Sequence, residues 1–376
     1  MSSFLKEPEA WYDVNGQKFY SKTTAIEHAK GVVSDVKFKF QEDVWDNVNW
    51  TINPIESWET LLQQRCIQIR ENYKHVALWY SSGYDSHTIL LSFIKNKIPI
   101  DELVLLNKNS FFHDPEHEYA VYFANYVKNN YYPNLKINII DLNLDYLLDF
   151  YNNEGSNWIN HIGTNTRFIK TTLYYFLSYN DYVKKNLVNF DSRADVIGYE
   201  KAKVYCYDNK WFTFATDSFL EHTIGTKTVP FYISKEFPQL HVKQVYNVVS
   251  WFESLPDYTS DLVHVIQGRD RTKDGPYVKY YEDWNIGMGR YPLHSHHDVS
   301  THGLQKFMYN ENLPLESQDV QNCLDYIKNN EKKTFDIYMD GLNEIKRINT
   351  LADQNTLLNP TIISKAYYVR DFKKIF

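Results

Sequence analysis

Cysteine is scarce: Cys66, Cys206 and Cys323 are the only three in 376 residues. They form no CxxC pair and no even set, which excludes a disulfide framework and a paired-cysteine metal or redox motif. Such usage fits a reducing cytosol. Excess positive charge is missing too. Lys and Arg number 40 against 47 Asp and Glu, a formal net charge of −7, so no global attraction to nucleic acid or to an anionic membrane is expected. No apolar run reaches the roughly 18–20 residues that cross a bilayer. The opening MSSFLKEPEAWYDVNG lacks the basic start and apolar centre of a signal peptide. A cytoplasmic protein with no membrane partner is the expectation, in the host cytoplasm if a phage encodes it. No internal repeat or low-complexity tract is present. A glutamine-hydrolysing domain would need a nucleophile near the start of the chain, and the first cysteine is Cys66. Aromatic residues are what the chain has in plenty. With 31 Tyr, 22 Phe and 9 Trp, the core and any pocket should be rich in rings.

The most informative stretch is His75 to Lys97, HVALWYSSGYDSHTILLSFIKNK. Val76 to Tyr80 is a short apolar run suited to a buried strand, and Ile89, Leu90, Phe93 and Ile94 recur at helical spacing. Between them lies Ser81-Ser82-Gly83-Tyr84-Asp85-Ser86, small and polar, with Asp85 or Ser86 in position to cap the helix. A strand, a tight polar turn and a helix N-terminus form a site for anions. Unpaired backbone N–H groups and the positive end of the helix dipole face one point there. The same letters would also serve as a serine-rich turn with an ordinary cap.

Ser81 to Ser86 resembles the SGGxDS loop (PP-loop) of the N-type ATP pyrophosphatases. This superfamily includes the synthetase domain of asparagine synthetase, argininosuccinate synthetase, lysidine synthetase, the queuosine-precursor synthases and the adenylylsulfate reductases. The resemblance covers the loop and its strand–helix frame, and loosely residues 57–235. Ser82 stands where the family has its first glycine: it keeps an N–H and adds a hydroxyl, but loses glycine's freedom at positive φ. The resemblance implies an adenine nucleotide alpha hydrolase-like fold, with ATP and Mg²⁺ as cofactors. Ser81, Ser82, Gly83, Tyr84, Asp85 and Ser86 would hold pyrophosphate, and Asp85 would help hold Mg²⁺. By the same analogy, Gly198, Glu200 and Lys201, after the apolar Ala194 to Ile197, would meet the nucleotide, with Lys201 joining Asp85 and Ser86 as a catalytic group. A plain surface turn is the competing reading of those three.

Along the chain, Trp11–Val14 and Gln17–Tyr20 flank Asn15-Gly16, a type I′ hairpin signal. Ser21 or Thr23 can cap a short helix, and Lys37–Phe40 alternates like an exposed strand. Trp45 and Trp50 follow in a loop expected to fold onto the main domain. Ser57 opens a helix to Tyr73, whose Arg65 and Arg70 can reach phosphate or serve as ordinary helix charges. Glu102–Leu106 and Lys136–Leu142 read as further strands, with a helix from Glu116 to Lys128 between them. Strand–helix alternation of this kind predicts an α/β fold, a parallel sheet with helices on both faces. Ligands in such sheets lie beyond the carboxyl ends of the strands. Asn107 emerges there, placed to contact adenine or ribose or to cap its own loop. Helices are also expected at 144–151 and 164–183, with Arg167 and Lys170 on the second. Lys203–Tyr207 and Trp211–Ala215 form a hairpin over Asp208-Asn209, and Asp217 beyond it can bind an amine or cap a helix.

From about Pro238 the pattern turns mostly helical. The chain therefore reads as an N-terminal extension (1–56), the PP-loop domain (57–237) and a helical substrate or lid region (238–376). Gly268 to Arg290 carries Arg269, Arg271, Lys273, Lys279 and Arg290 among Asp270, Asp274, Glu282 and Asp283. It is too nearly neutral for a phosphate-backbone patch and is either a lid over nucleotide or a solvated loop. His294, His296, His297 and His302 with Asp298 can bind a metal, touch substrate or lie exposed. His113-Asp114 and Glu116-His117-Glu118 suit a helix start enriched in acids.

The expected activity is AMP-forming: an acceptor oxygen attacks the α-phosphorus, pyrophosphate leaves and an amine displaces AMP, as in asparagine synthetase without its glutaminase. Base modification on a nucleic acid, as by lysidine synthetase, is the second reading, and a nucleotide-binding protein without turnover the third. The partners are thus ATP and an acceptor, either a small molecule or a nucleic acid.

Overall fold

The computed structural model describes residues 9–32, 34–107, 115–141, 143–162, 192–198, 202–217, 219–220, 228–268, 279–291, 318–354 and 363–373. Among these, the first unit is a three-stranded antiparallel sheet of β1 (Ala10–Val14), β2 (Gln17–Phe19) and β3 (Lys37–Phe40), with α1 (Lys22–Val32) against it. Asn15 and Gly16 turn β1 into β2 with φ of 52° and 82°, the double positive φ of a type I′ turn. Ser21 caps α1 through the Thr24 amide. The alternation in β3 does not face solvent on both sides, since Phe38 and Phe40 are buried. Trp45 ends a short helix, α2 (Glu42–Trp45), rather than lying in a loop.

The main sheet has five parallel strands: β4 (His75–Trp79), β5 (Glu102–Asn107), β6 (Lys136–Asp141), β7 (Arg193–Ile197) and β10 (Thr228–Pro230). Their spatial order is β10-β7-β4-β5-β6. The chain builds outward from β4 to β6, then returns to place β7 on the other side of β4. Loops leaving β4 and β7 therefore diverge, and the crevice between them is where an open parallel sheet receives ligands.

Helices cover both faces. Val76, Leu78 and Tyr80 alternate with Ala77 and Trp79, so β4 feeds two cores. Val76, Leu78, Leu103, Leu105 and Val196 meet Leu62, Cys66, Phe93 and Val127 from α3 (Trp58–Asn72), α4 (Tyr84–Lys95) and α5 (Pro115–Asn130). On the other face Ala77, Trp79, Val104 and Ile197 pack with Leu147, Tyr151, Trp158, Ile327, Tyr338 and Ile345. These come from α6 (Leu144–Glu154), a 3₁₀ turn (Gly155–Trp158), α11 (Gln318–Asn330) and α12 (Lys332–Gln354). Each fully buried large apolar side chain contributes roughly 1.5–3 kcal/mol. The second face is thus closed by residues far along the chain. Gly341 makes this possible: a Cβ there would stand 2.2 Å from the Trp158 indole nitrogen.

A third core joins the N-terminal unit to the hairpin β8 (Lys203–Tyr207) and β9 (Lys210–Phe214) and to α8 (Pro238–Ser254) and α9 (Ser260–Gly268). Asp208 and Asn209 turn the hairpin at φ 49° and 54°. Beside β9 runs β11 (Tyr367–Asp371), a strand the mostly helical pattern of the C-terminal third does not signal. The remaining described helices are α7 (Ile159–Ile162) and α10 (Tyr281–Gly287). No described helix is long and apolar enough to cross a membrane.

Candidate functional site

At the end of β4 the chain passes through Ser81, Ser82 and Gly83 into α4. The helix begins at Tyr84, its N-cap is Gly83, and no side chain caps it. Neither Asp85 nor Ser86 is the cap; both already lie in the first turn. Ser86 Oγ instead folds the loop on itself. It accepts from the Ser81 amide at 3.2 Å, lies 3.2 Å from Ser81 Oγ and donates to the Gly83 carbonyl at 3.3 Å. Ser82 is buried at φ 60°, a left-handed conformation that glycine takes freely and serine at a cost of about 1–2 kcal/mol.

Gly198, at the end of β7, lies against this turn. A Cβ there would stand 3.1 Å from both the Asp85 carbonyl carbon and the Ser86 nitrogen. Of the sequence candidates, the structure thus brings Ser81 to Ser86 and Gly198 together. Glu200 and Lys201 lie outside the described residues. Asn107 ends β5, where its amide donates to Asp141 Oδ1 at 2.6 Å across to β6.

The feature that periodicity does not reveal is Arg290. Its stretch reads as a lid or a solvated loop, yet its side chain is 0% exposed. Gly289 and Tyr291 fix the segment, the first by accepting from the Trp58 indole at 2.5 Å, the second by donating its amide to Thr88 Oγ1 at 2.9 Å. Arg290 Nε reaches Asp85 Oδ1 at 2.5 Å, and its guanidinium lies 4.2 Å from the centre of the Tyr232 ring. Tyr232 in turn donates to the Asp85 backbone carbonyl at 2.9 Å. Burial, foremost, raises the Tyr232 phenol well above its ordinary range, so it stays a neutral donor. Nη1 and Nη2 of Arg290 are buried without a hydrogen-bond partner.

Nearby on α8, His241 is buried with both ring nitrogens unpartnered. Burial first, and then the Arg290 charge, push its pKa down to about 3, leaving it neutral. One turn on, Gln244 accepts from the Ala202 amide at 3.0 Å, while its Nε2 has no partner.

Other candidates have structural partners. Arg65 is buried, and its Nε and Nη2 donate to the Phe231 and Pro230 carbonyls at 3.3 and 2.8 Å, tying α3 to the end of β10. Arg70 binds Asp101 at 2.5 Å. Asp217 accepts from Tyr12 at 2.7 Å and pairs with Lys22 at 2.5 Å, so it docks the N-terminal unit. Lys279 pairs with Asp257 at the surface. Arg167, Lys170, Arg269, Arg271, Lys273, His113, Asp114 and the His294–His302 cluster lie outside the described residues. Among those described, no group of three His, Cys, Asp or Glu side chains is placed to hold a metal.

Arg290 holds Asp85 Oδ1, so a magnesium ion at Asp85 would have to be met by Oδ2. The comparison with known proteins returns no match: no family model and no curated sequence is similar to this chain.

Proposed function

We propose that the protein is an AMP-forming, ATP-dependent adenylating enzyme on an adenine nucleotide alpha hydrolase-like fold. The observation that carries this reading is the place of one loop. The hydroxyl-lined turn between β4 and α4 stands at the crevice where the strand order reverses, with Gly198 of β7 packed on it. An uncapped helix N-terminus there offers N–H groups and a positive dipole end to phosphate.

In this reading Ser81 and the loop amides receive the β- and γ-phosphates. An acceptor carboxylate or carbonyl oxygen attacks the α-phosphorus; the α–β bridging bond breaks and pyrophosphate leaves with its electron pair. An amine then displaces AMP from the acyl or imidoyl adenylate. The protein positions the reactants and stabilises the developing charge. Magnesium enters as part of the MgATP substrate, and no step is assigned to a protein-bound ion. The net charge of −7 favours a small-molecule acceptor over a nucleic acid.

The test is incubation with MgATP and a pool of amino acids, with AMP and pyrophosphate measured separately from ADP and phosphate. AMP and pyrophosphate are expected, lowered at least tenfold by Asp85→Asn, which keeps an acceptor for Arg290. ADP and phosphate, or no affinity for ATP, would end the reading.

A further inference from the structure

We propose that Arg290 is an oxyanion-binding residue of this protein, its two terminal nitrogens receiving a phosphate or carboxylate at the N-terminal turn of α4. The proposal deepens the reading above, since it names a second wall of the same site and the ligand chemistry that wall takes.

The reasoning starts from what a buried guanidinium requires. Five N–H donors leave water on folding, and each one unmatched costs free energy. Arg65 shows how this chain meets that demand: Nε and Nη2 rest on backbone carbonyls, and Nη1 donates to Gln68 Oε1 at 2.6 Å. Arg290 is as deeply buried but differently arranged. Only Nε has a hydrogen-bond partner, Asp85 Oδ1 at 2.5 Å, and Nη1 and Nη2, the fork that engages two oxygens of an anion, have none.

The fork is held in place from several sides. Asp85 fixes Nε, and the Tyr232 ring supports the guanidinium plane at 4.2 Å. The backbone on either side is tied to Trp58 and Thr88. Through Asp85 the guanidinium is anchored to the first turn of a 12-residue helix whose N-cap has no side-chain cap. A buried cation is therefore tied to the first turn of a helix, and a guanidinium and a helix N-terminus both favour an oxyanion. The His241 nitrogens, also buried and unpartnered, lie within reach of the Arg290 charge, and the unpartnered Gln244 Nε2 follows one turn later on α8. Asp85 on this view orients a cation through Oδ1.

The test uses the full chain and Arg290→Lys, which keeps the charge and loses the fork, with circular dichroism to establish folding. Each is titrated by calorimetry with inorganic pyrophosphate, and separately with L-aspartate and L-glutamate. Pyrophosphate binding weakened at least tenfold by Arg290→Lys supports the proposal with the nucleotide as the source of the anion. The same loss for an amino acid alone supports it with the acceptor as the source. Equal binding by both proteins, or no binding by the wild type, overturns it. Should Arg290→Lys fail to fold, wild-type crystals soaked in pyrophosphate decide: an anion within about 3 Å of Nη1 and Nη2 supports the proposal, and its absence from that position overturns it. The two readings fail separately. ATP cleavage to AMP that Arg290→Lys leaves intact, with unchanged pyrophosphate affinity, removes only the Arg290 assignment. Arg290-dependent anion binding without AMP formation removes only the enzymatic one.

Discussion

Two arginines buried in this protein sit at opposite ends of the same sheet and are treated differently. At the starting ends of the strands, Arg193 of β7 is saturated: Nε and Nη2 hold Asp195, and Nη1 holds Glu102 at 2.9 Å. Glu102 also meets His75 and the Asn138 amide, and Asp195 accepts from the Trp79 indole. Strands β5, β4 and β7 are thereby laced together in a region with no orphan guanidinium nitrogen. At the finishing ends, Arg290 has one carboxylate and two idle nitrogens. A buried network with every group matched specifies an arrangement; one left incomplete marks where something else belongs.

The strongest way to break that contrast is to attack the saturated end. Arg193→Met should cost about 3–5 kcal/mol, because it leaves Glu102 and Asp195 buried without their cation. Urea denaturation measures this, and a loss below about 1 kcal/mol would show the network to be slack. Pyrophosphate affinity of the folded fraction should hardly change.

Next in size is a pH effect at the unsaturated end. His241 binds its proton with a pKa near 6.5 when unfolded and about 3 when folded, so the unfolded chain takes up the proton first as pH falls. Stability from this residue is complete from about a unit above pH 6.5 and declines below that, by about 2 kcal/mol between pH 6.5 and 4.5. His241→Phe, which keeps a ring against Trp45, should flatten that limb of the urea-midpoint profile. An unchanged slope would mean that His241 does not stay neutral in the fold.

Gly198→Ala tests the contact between β7 and the loop. A methyl group 3.1 Å from two backbone atoms must displace the turn, at about 1–3 kcal/mol, and should weaken ATP binding with it. Full ATP affinity in a stable Gly198→Ala protein would separate the loop from the site. The smallest effect is expected from Ser82→Gly, which relieves a left-handed serine. A stabilisation of no more than about 1 kcal/mol, read as a rise in melting temperature, is the expected sign. A fall would show that the serine hydroxyl contributes more than the strain costs.

Much of the frame was legible in the chain because it rests on local rules. Alternation and helical spacing marked β4, α4, β5, α5 and β6, Asn15-Gly16 and Asp208-Asn209 gave their hairpins, and Ser57 caps α3 through the Thr60 amide as its position suggests. The loop itself stood out by its small polar letters between two apolar segments. Asp85 and Ser86 carry cap-type side chains, but the helix starts directly after Gly83, which offers no side chain, so both fall inside its first turn. Arg65 reads as a phosphate ligand or a helix charge, and Asp217 as an amine ligand or a cap; their actual partners, 166 and 205 residues away, are invisible to local pattern. Phe38 and Phe40 were expected on an exposed strand for the same reason: their cover arrives from Phe219 and other distant residues.

The sequence by itself determined the alternating strands and helices, the turns with positive φ and the polar bend ahead of α4, since each depends on residues within a few positions of one another. Only the tertiary structure decided that Gly198 rests on that bend, that α11 and α12 close the second face of the sheet, and that Arg290 is buried against Asp85. Those outcomes depend on burial and on which charges lose their water together, and both are properties of the packed chain.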